Sequence, residues 1–205
     1  FVPVTSVSNC YNLGNISVEL NNAAGICAIA GHSNGLVFIK NSYNIGNMSC
    51  KQGGGGFVGN GAYPGKIEIC NVYNKGIIND VVLNGGSIGY NSVNADGSIV
   101  NVSYGYNLNS MSIGGGIAYM FGASASTVNL CYNIDSNKFI TAPDSEIAGG
   151  IIDASQNLTP GLTINGTIYT DLLTALNAWV DANKSTYPEL KNWVMGDNGY
   201  PTFAD

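Results

Sequence analysis

The chain has 205 residues, a net charge of -6 and only 10% charged residues, against roughly 25% in an average soluble domain. Its 28 glycines with only 6 prolines fit neither a collagen-like nor a proline-rich disordered chain, and its longest apolar stretch, residues 23–31, is too short to cross a bilayer as a helix. Seven lysines without one arginine, in an acidic chain, argue against a nucleic-acid-binding surface.

In chain order the first signal is a repeat. A Tyr-Asn pair occurs at Tyr11-Asn12, Tyr43-Asn44, Tyr73-Asn74, Tyr106-Asn107 and Tyr132-Asn133, at intervals of 32, 30, 33 and 26 residues. Between these pairs a small pair closes on Gly25, Gly56, Gly86, Gly116 and Gly150. Four residues before each tyrosine stands a β-branched residue, in turn Val7, Ile39, Ile69, Val102 and Val128. Five residues after it stand Ile16, Met48, Ile78 and Met111, then Asn137, where the pattern fails.

Within each repeat the segments alternate apolar and polar residues, as in Lys66-Ile67-Glu68-Ile69-Cys70, and a period of two specifies strand. Glycines and asparagines punctuate the strands where turns call for positive φ. A thirty-residue unit of this kind buries its apolar face only against its neighbours. Residues 1–155 are therefore expected to form an all-β domain, a right-handed parallel β-helix (solenoid) of about five coils. Equivalent positions then meet as columns, in which asparagines share amide hydrogen bonds and like charges repel. Glu68 accordingly has Phe38 and Asn101, not a second charge, at its column positions.

Gly55-Gly56-Phe57-Val58-Gly59 and Gly85-Gly86-Ser87-Ile88-Gly89, with Ala24-Gly25-Ile26-Cys27 and Gly115-Gly116-Ile117-Ala118, are linked to elements such as Tyr43-Asn44-Ile45-Gly46-Asn47. This arrangement, over roughly residues 5–150, resembles the bacterial GLUG motif, found in surface proteins and beside IgA1-specific metallopeptidase domains. The resemblance implies an extracellular repeat module and no catalysis, since the zinc-binding peptidase motif is absent from a chain with one histidine.

The last third differs. Residues 141–205 carry eight of the 13 acids and two of the lysines, which places the net charge there. The spacing of Leu172, Leu173, Leu176, Trp179 and Val180 predicts an amphipathic helix over about 170–182, N-capped by Thr170 or Asp171. Tyr187-Pro188, Trp193 and residues 198–203 predict turns and a closing strand with aromatic anchors. Residues 156–205 are expected to cap the repeat domain, because exposed strand edges and core must be covered. The first repeat lacks such a cap, and further coils or domains on its N-terminal side are expected.

Several chemical patterns compete with structural readings. Gly54–Gly59 satisfies a dinucleotide-binding spacing without the following helix, and the Gly-X-Ser-X-Gly matches around Ser33 and Ser87 lack the strand–turn–helix setting of a nucleophile elbow. No catalytic residue and no cofactor are expected. Asp144, Glu146 and Asp153 form the one candidate acidic cluster, for a metal or for acid/base work, with a solvated loop face as the favoured reading. Five cysteines without zinc spacing read as buried small apolar residues. Tyr63, Tyr90 and Tyr119, a few residues beyond the glycine pairs, form a candidate aromatic strip for stacking on sugar rings. The expected role is a non-catalytic module of an extracellular or bacterial cell-surface protein, an adhesive surface or stalk with a glycan or host surface protein as partner. The alternatives are a carbohydrate-active lyase or glycosidase, and a pure spacer.

Overall fold

The computed structural model describes residues 4–19, 24–29, 35–50, 55–60, 66–80, 89–92, 99–107, 118–121, 127–133 and 146–205. The short alternating segments become strands: β1 (Val4–Ser8), β2 (Tyr11–Asn12), β3 (Ile16–Ser17), β4 (Cys27–Ile29), β5 (Leu36–Asn44), β6 (Met48–Cys50), β7 (Val58–Asn60), β8 (Lys66–Asn74) and β9 (Ile78–Asp80). They continue as β10 (Gly89–Ser92), β11 (Ile99–Asn107), β12 (Ala118–Phe121), β13 (Thr127–Asn133), β14 (Glu146–Ile152), β15 (Asn157–Ile164) and β16 (Thr167–Asp171). Helix α1 (Leu172–Asn183) follows, then β17 (Trp193–Met195) and β18 (Pro201–Phe203).

The thirty-residue rhythm appears as strand register. Val7 pairs with Ile39, Ile39 with Ile69, Ile69 with Val102 and Val102 with Val128, all parallel. Tyr11, Tyr43, Tyr73, Tyr106 and Tyr132 are likewise successive partners. Glu68 pairs with Phe38 and Asn101. On β8 the alternation buries Ile67 and Ile69 at 1% exposure each, whereas Glu68 is half-buried. Asn71 then adopts a left-handed φ of 53°, as Asn41 (49°) and Asn9 (56°) do at the same column position. Asparagine tolerates that region better than β-branched or bulky residues, so the chain bends at the same place in each of these three repeats.

The expected right-handed parallel β-helix is not the architecture found. The strands lie in separate sheets of nine, four, three and two strands, and the nine-stranded sheet is an open path rather than a closed one. Its order is β1-β5-β8-β11-β13-β14-β15-β16, with β2 also on β5; it is parallel as far as β14 and antiparallel from β14 to β16. The others run β4-β7-β10-β12, β3-β6-β9 and β17-β18. A sequence period fixes which strands pair and in what register; it does not fix how separate sheets are joined. The final repeat departs further. Gly150, expected in the glycine column, pairs with Tyr132 in the large sheet, and the register shifts between Asn129 and Cys131.

The C-terminal third both extends this sheet and covers it. β15 and β16 form an antiparallel hairpin beyond β14, turning through Asn165 (φ 49°) and Gly166 (φ 81°), the two positive angles that a tight two-residue hairpin turn requires. Asp171 caps α1, its Oδ1 accepting from Thr174 N at 2.8 Å and Thr174 Oγ1 at 2.7 Å. The helix buries Leu172, Ala175, Leu176, Trp179 and Val180, a single face at helical spacing. That face shares one core with Leu158, Leu162, Leu190, Trp193, Cys70 and Tyr73. Residues 189–203 thus reach back to the middle of the repeat stack instead of lying only over its end. No helix among the described residues is long and apolar enough to cross a membrane.

Candidate functional site

Two constructions carry the side chains of interest: a polar and aromatic ladder in the first three repeats, and a groove in the C-terminal third. The ladder arises because parallel in-register pairing puts like residues one strand spacing apart. The Tyr11 and Tyr43 rings stack at 5.2 Å, and those of Tyr43 and Tyr73 at 4.9 Å with planes 1° apart. Beside them Asn12 Nδ2 donates to Asn44 Oδ1 at 2.8 Å and Asn44 Nδ2 to Asn74 Oδ1 at 2.6 Å, while each amide also donates to the carbonyl two residues ahead, at Gly14, Gly46 and Gly76. Asn44 and Asn74 are fully buried, so these shared amide bonds are what makes their burial tolerable.

The bend asparagines hold the C-terminal segment. Asn41 Nδ2 donates to the Glu189 carbonyl, Asn41 Oδ1 accepts from Lys191 N, and Asn71 Nδ2 donates both to Asn41 Oδ1 and to the Lys191 carbonyl. Trp193 Nε1 donates to Asn71 Oδ1 at 2.7 Å, and Tyr73 Oη shares a hydrogen bond with Thr202 Oγ1. Phe203 lies against both Tyr43 and Tyr73. At the edge of this contact Lys40 pairs with Glu189, and the hydrogen bond from Lys40 holds the Glu189 carboxyl below its ordinary range. Sequence reasoning missed Asn41 and Asn71. Their signal was present: asparagine stands two residues before tyrosine at positions 9, 41 and 71, and is replaced by Tyr104 and Leu130 in the later copies.

Burial, the largest influence, pushes the Cys70 thiol up to about 12; the nearby Lys40 charge lowers it, and Glu68 and Glu189 add to the rise. Cys10 and Cys70 are free thiols. The thiolate is the reactive form, so a native-state alkylation at about pH 8 is expected to modify half-exposed Cys10 well before Cys70, read by peptide mass mapping. Rapid labelling of Cys70 would mean that the C-terminal segment does not cover this sheet.

The groove lies between the β15–β16 hairpin and α1, open to solvent, with a volume of about 690 Å³. Tyr169 and Leu173 line it as half-buried residues; Asn165, Thr167, Thr174 and Asp181 give it exposed amide, hydroxyl and carboxylate groups. Asn177 lines it too, but its amide is bound to the backbone N–H and carbonyl of Trp193. The arrangement is an aromatic and aliphatic floor with an acceptor-rich rim, which suits a flexible polar molecule with one apolar face.

Of the residues singled out from the sequence, Tyr90, Tyr119, Glu146 and Asp153 fall within the described residues. Tyr90 and Tyr119 are register partners on the parallel strands β10 and β12; Tyr63 lies outside the described residues, as does Asp144. Glu146 opens β14 opposite Thr127. Asp153 stands in the turn after β14, where its Oδ1 accepts from Ser155 N and Asn157 N and its Oδ2 from Asn157 Nδ2. These bonds hold its carboxyl below the ordinary range, and they make it a turn residue. Among the described residues no three His, Cys, Asp or Glu side chains converge as metal ligands would. No family model matches the chain, and no curated protein or solved structure proves similar to it.

Proposed function

We propose that the chain is a non-catalytic, extracellular module of a bacterial surface protein, of the kind that carries GLUG-like repeats, and that it binds saccharide in the groove between the β15–β16 hairpin and α1. The observation that carries the reading is the pairing, in one open groove, of the Tyr169 ring with the Asp181 carboxylate and the Asn165 amide. A sugar presents an apolar C–H face suited to an aromatic ring and a rim of hydroxyls suited to carboxylate and amide acceptors. The ladder serves as the support.

The test is a glycan array probed with the intact chain, followed by titration of the best hit. Tyr169→Ala and Asp181→Ala are each expected to weaken binding by roughly tenfold, the equivalent of about 1.4 kcal/mol, with the thermal midpoint of Asp181→Ala unchanged. Release of new reducing or unsaturated ends from a polysaccharide panel, lost on Asp153→Ala, would replace this reading by the carbohydrate-active enzyme. Absence of both binding and turnover would leave the stalk.

A further inference from the structure

The three layers that contain Tyr11, Tyr43 and Tyr73 are joined by one repeated set of contacts. Each of the two interfaces between them has a ring-on-ring stack and an amide that donates to the next layer's Oδ1. Each also has an asparagine, Asn15 or Asn47, whose Oδ1 accepts the backbone N–H of the following layer, at Asn47 and Ile77. The fourth element is a glycine. A Cβ at Gly46 would lie 2.0 Å from the Gly14 carbonyl oxygen, and a Cβ at Gly76 would lie 2.0 Å from that of Gly46. Glycine is obligatory there because the preceding layer's backbone occupies the space.

The first layer carries all four elements on a side where no described strand pairs with it. β1, β3 and β4 each end their sheets on this side. Tyr11 is stacked on Tyr43 yet 60% exposed, and Val4 and Leu13 are 63% and 57% exposed. Asn12 Oδ1 accepts just the Gly14 N–H, at 3.3 Å, where Asn44 Oδ1 and Asn74 Oδ1 accept an amide from the layer before. Gly14 has no requirement of its own: its φ is not left-handed, and a Cβ would meet nothing nearer than Asn12 Oδ1 at 3.9 Å.

We infer that this edge is an interface for one more strand layer of Tyr-Asn-X-Gly-Asn chemistry, docking parallel and in register on β1, β2 and β3. Such a layer supplies what the edge lacks: a ring for Tyr11, an Nδ2 donor for Asn12 Oδ1, an Oδ1 acceptor for the Asn15 N–H, and a glycine carbonyl for the space over Gly14. A second copy of the chain does not fit the same way, because its large sheet ends in the antiparallel pair β15–β16 and offers no outward-facing Tyr-Asn layer there.

The probe is a labelled peptide of residues 36–50 with Cys50→Ser, titrated against the full chain by fluorescence anisotropy, beside a scrambled peptide. Saturable binding of the repeat peptide and not of the scrambled one is expected. Gly14→Val is expected to weaken it at least tenfold while leaving the thermal midpoint unchanged. No saturable binding, equal binding of the scrambled peptide, or undiminished binding to Gly14→Val would each overturn the assignment. A concentration-dependent dimer of the chain alone that is lost in Gly14→Val would overturn it in favour of a second copy.

Discussion

Replacing Gly76 with alanine is expected to lower folding stability by about 3 kcal/mol, whereas the same change at Gly14 lowers it by less than about 0.5 kcal/mol. The two glycines occupy one column of the repeat, so their sequence contexts, Tyr-Asn-Lys-Gly and Tyr-Asn-Leu-Gly, are nearly the same. Their surroundings are not. A Cβ at position 76 would stand 2.0 Å from the Gly46 oxygen and 2.5 Å from Asn44 Nδ2; the first of these is backbone and cannot swing aside. Relief requires the layers to part, which stretches the Asn44–Asn74 amide bond of 2.6 Å and the bond from Lys75 N to the Asn44 carbonyl of 2.8 Å. Overpacking costs about 1–3 kcal/mol, and each weakened bond adds about 0.5–1.5. Neither glycine is in the left-handed region, so the penalty is spatial rather than conformational. Urea unfolding of both variants, compared at constant m-value, is the measurement. Equal losses at the two positions would refute layer contact as the reason for glycine.

Those columns were open to reading because each layer sets the same requirement for the next. Ile39 and Ile69 share one buried environment in paired register, and Gly46 and Gly76 share one close approach, so a period is written into the residue types. The joining of sheets leaves no such mark. That gap accounts for the β-helix expectation, since period and register are compatible with several sheet arrangements. It accounts for Gly150 too: a small pair reads the same whether it occupies the glycine column or lies opposite Tyr132. The Asn165-Gly166 turn is local chemistry, two residue types that accept the positive φ values a two-residue hairpin loop requires. Sites were the least legible. Asp153 has the residue type of a metal ligand, but its oxygens close a turn two to four residues long, a purely local use that composition does not reveal. The groove beside Tyr169 depends on a hairpin that the apolar spacing did not announce, because Leu158-Thr159-Pro160-Gly161 interrupts any clean alternation.

Trp193→Ala is expected to lower stability by about 3–5 kcal/mol, the range for removing a large buried aromatic side chain. The indole is 2% exposed, its ring centroid 4.3 Å from that of Phe203 and 5.8 Å from that of Tyr73, and its Nε1 donates to Asn71 Oδ1 in the middle of the sheet. The backbone bonds from Trp193 to Asn177 survive the change, as does the β17–β18 pairing opposite Phe203. What is lost is one of the ties between this strand pair and the repeat layers, beside the bonds of Asn41, Asn71 and Tyr73 and the Phe203 ring contacts. Trp193→Phe separates the contributions: it keeps much of the ring but removes the N–H, and a loss of about 1–3 kcal/mol is the expected cost of depriving a buried acceptor of its donor. The same variants report on where the loss occurs. If the strand pair undocks while the layers stay folded, Cys70 loses the cover that keeps its thiol protonated, and alkylation of Cys70 in Trp193→Ala rises well before the urea midpoint is reached. If the C-terminal segment and the layers instead form one cooperative unit, Cys70 labelling and global unfolding move together. Unchanged stability and unchanged Cys70 protection in Trp193→Ala would contradict the placement of residues 189–203 across β5 and β8.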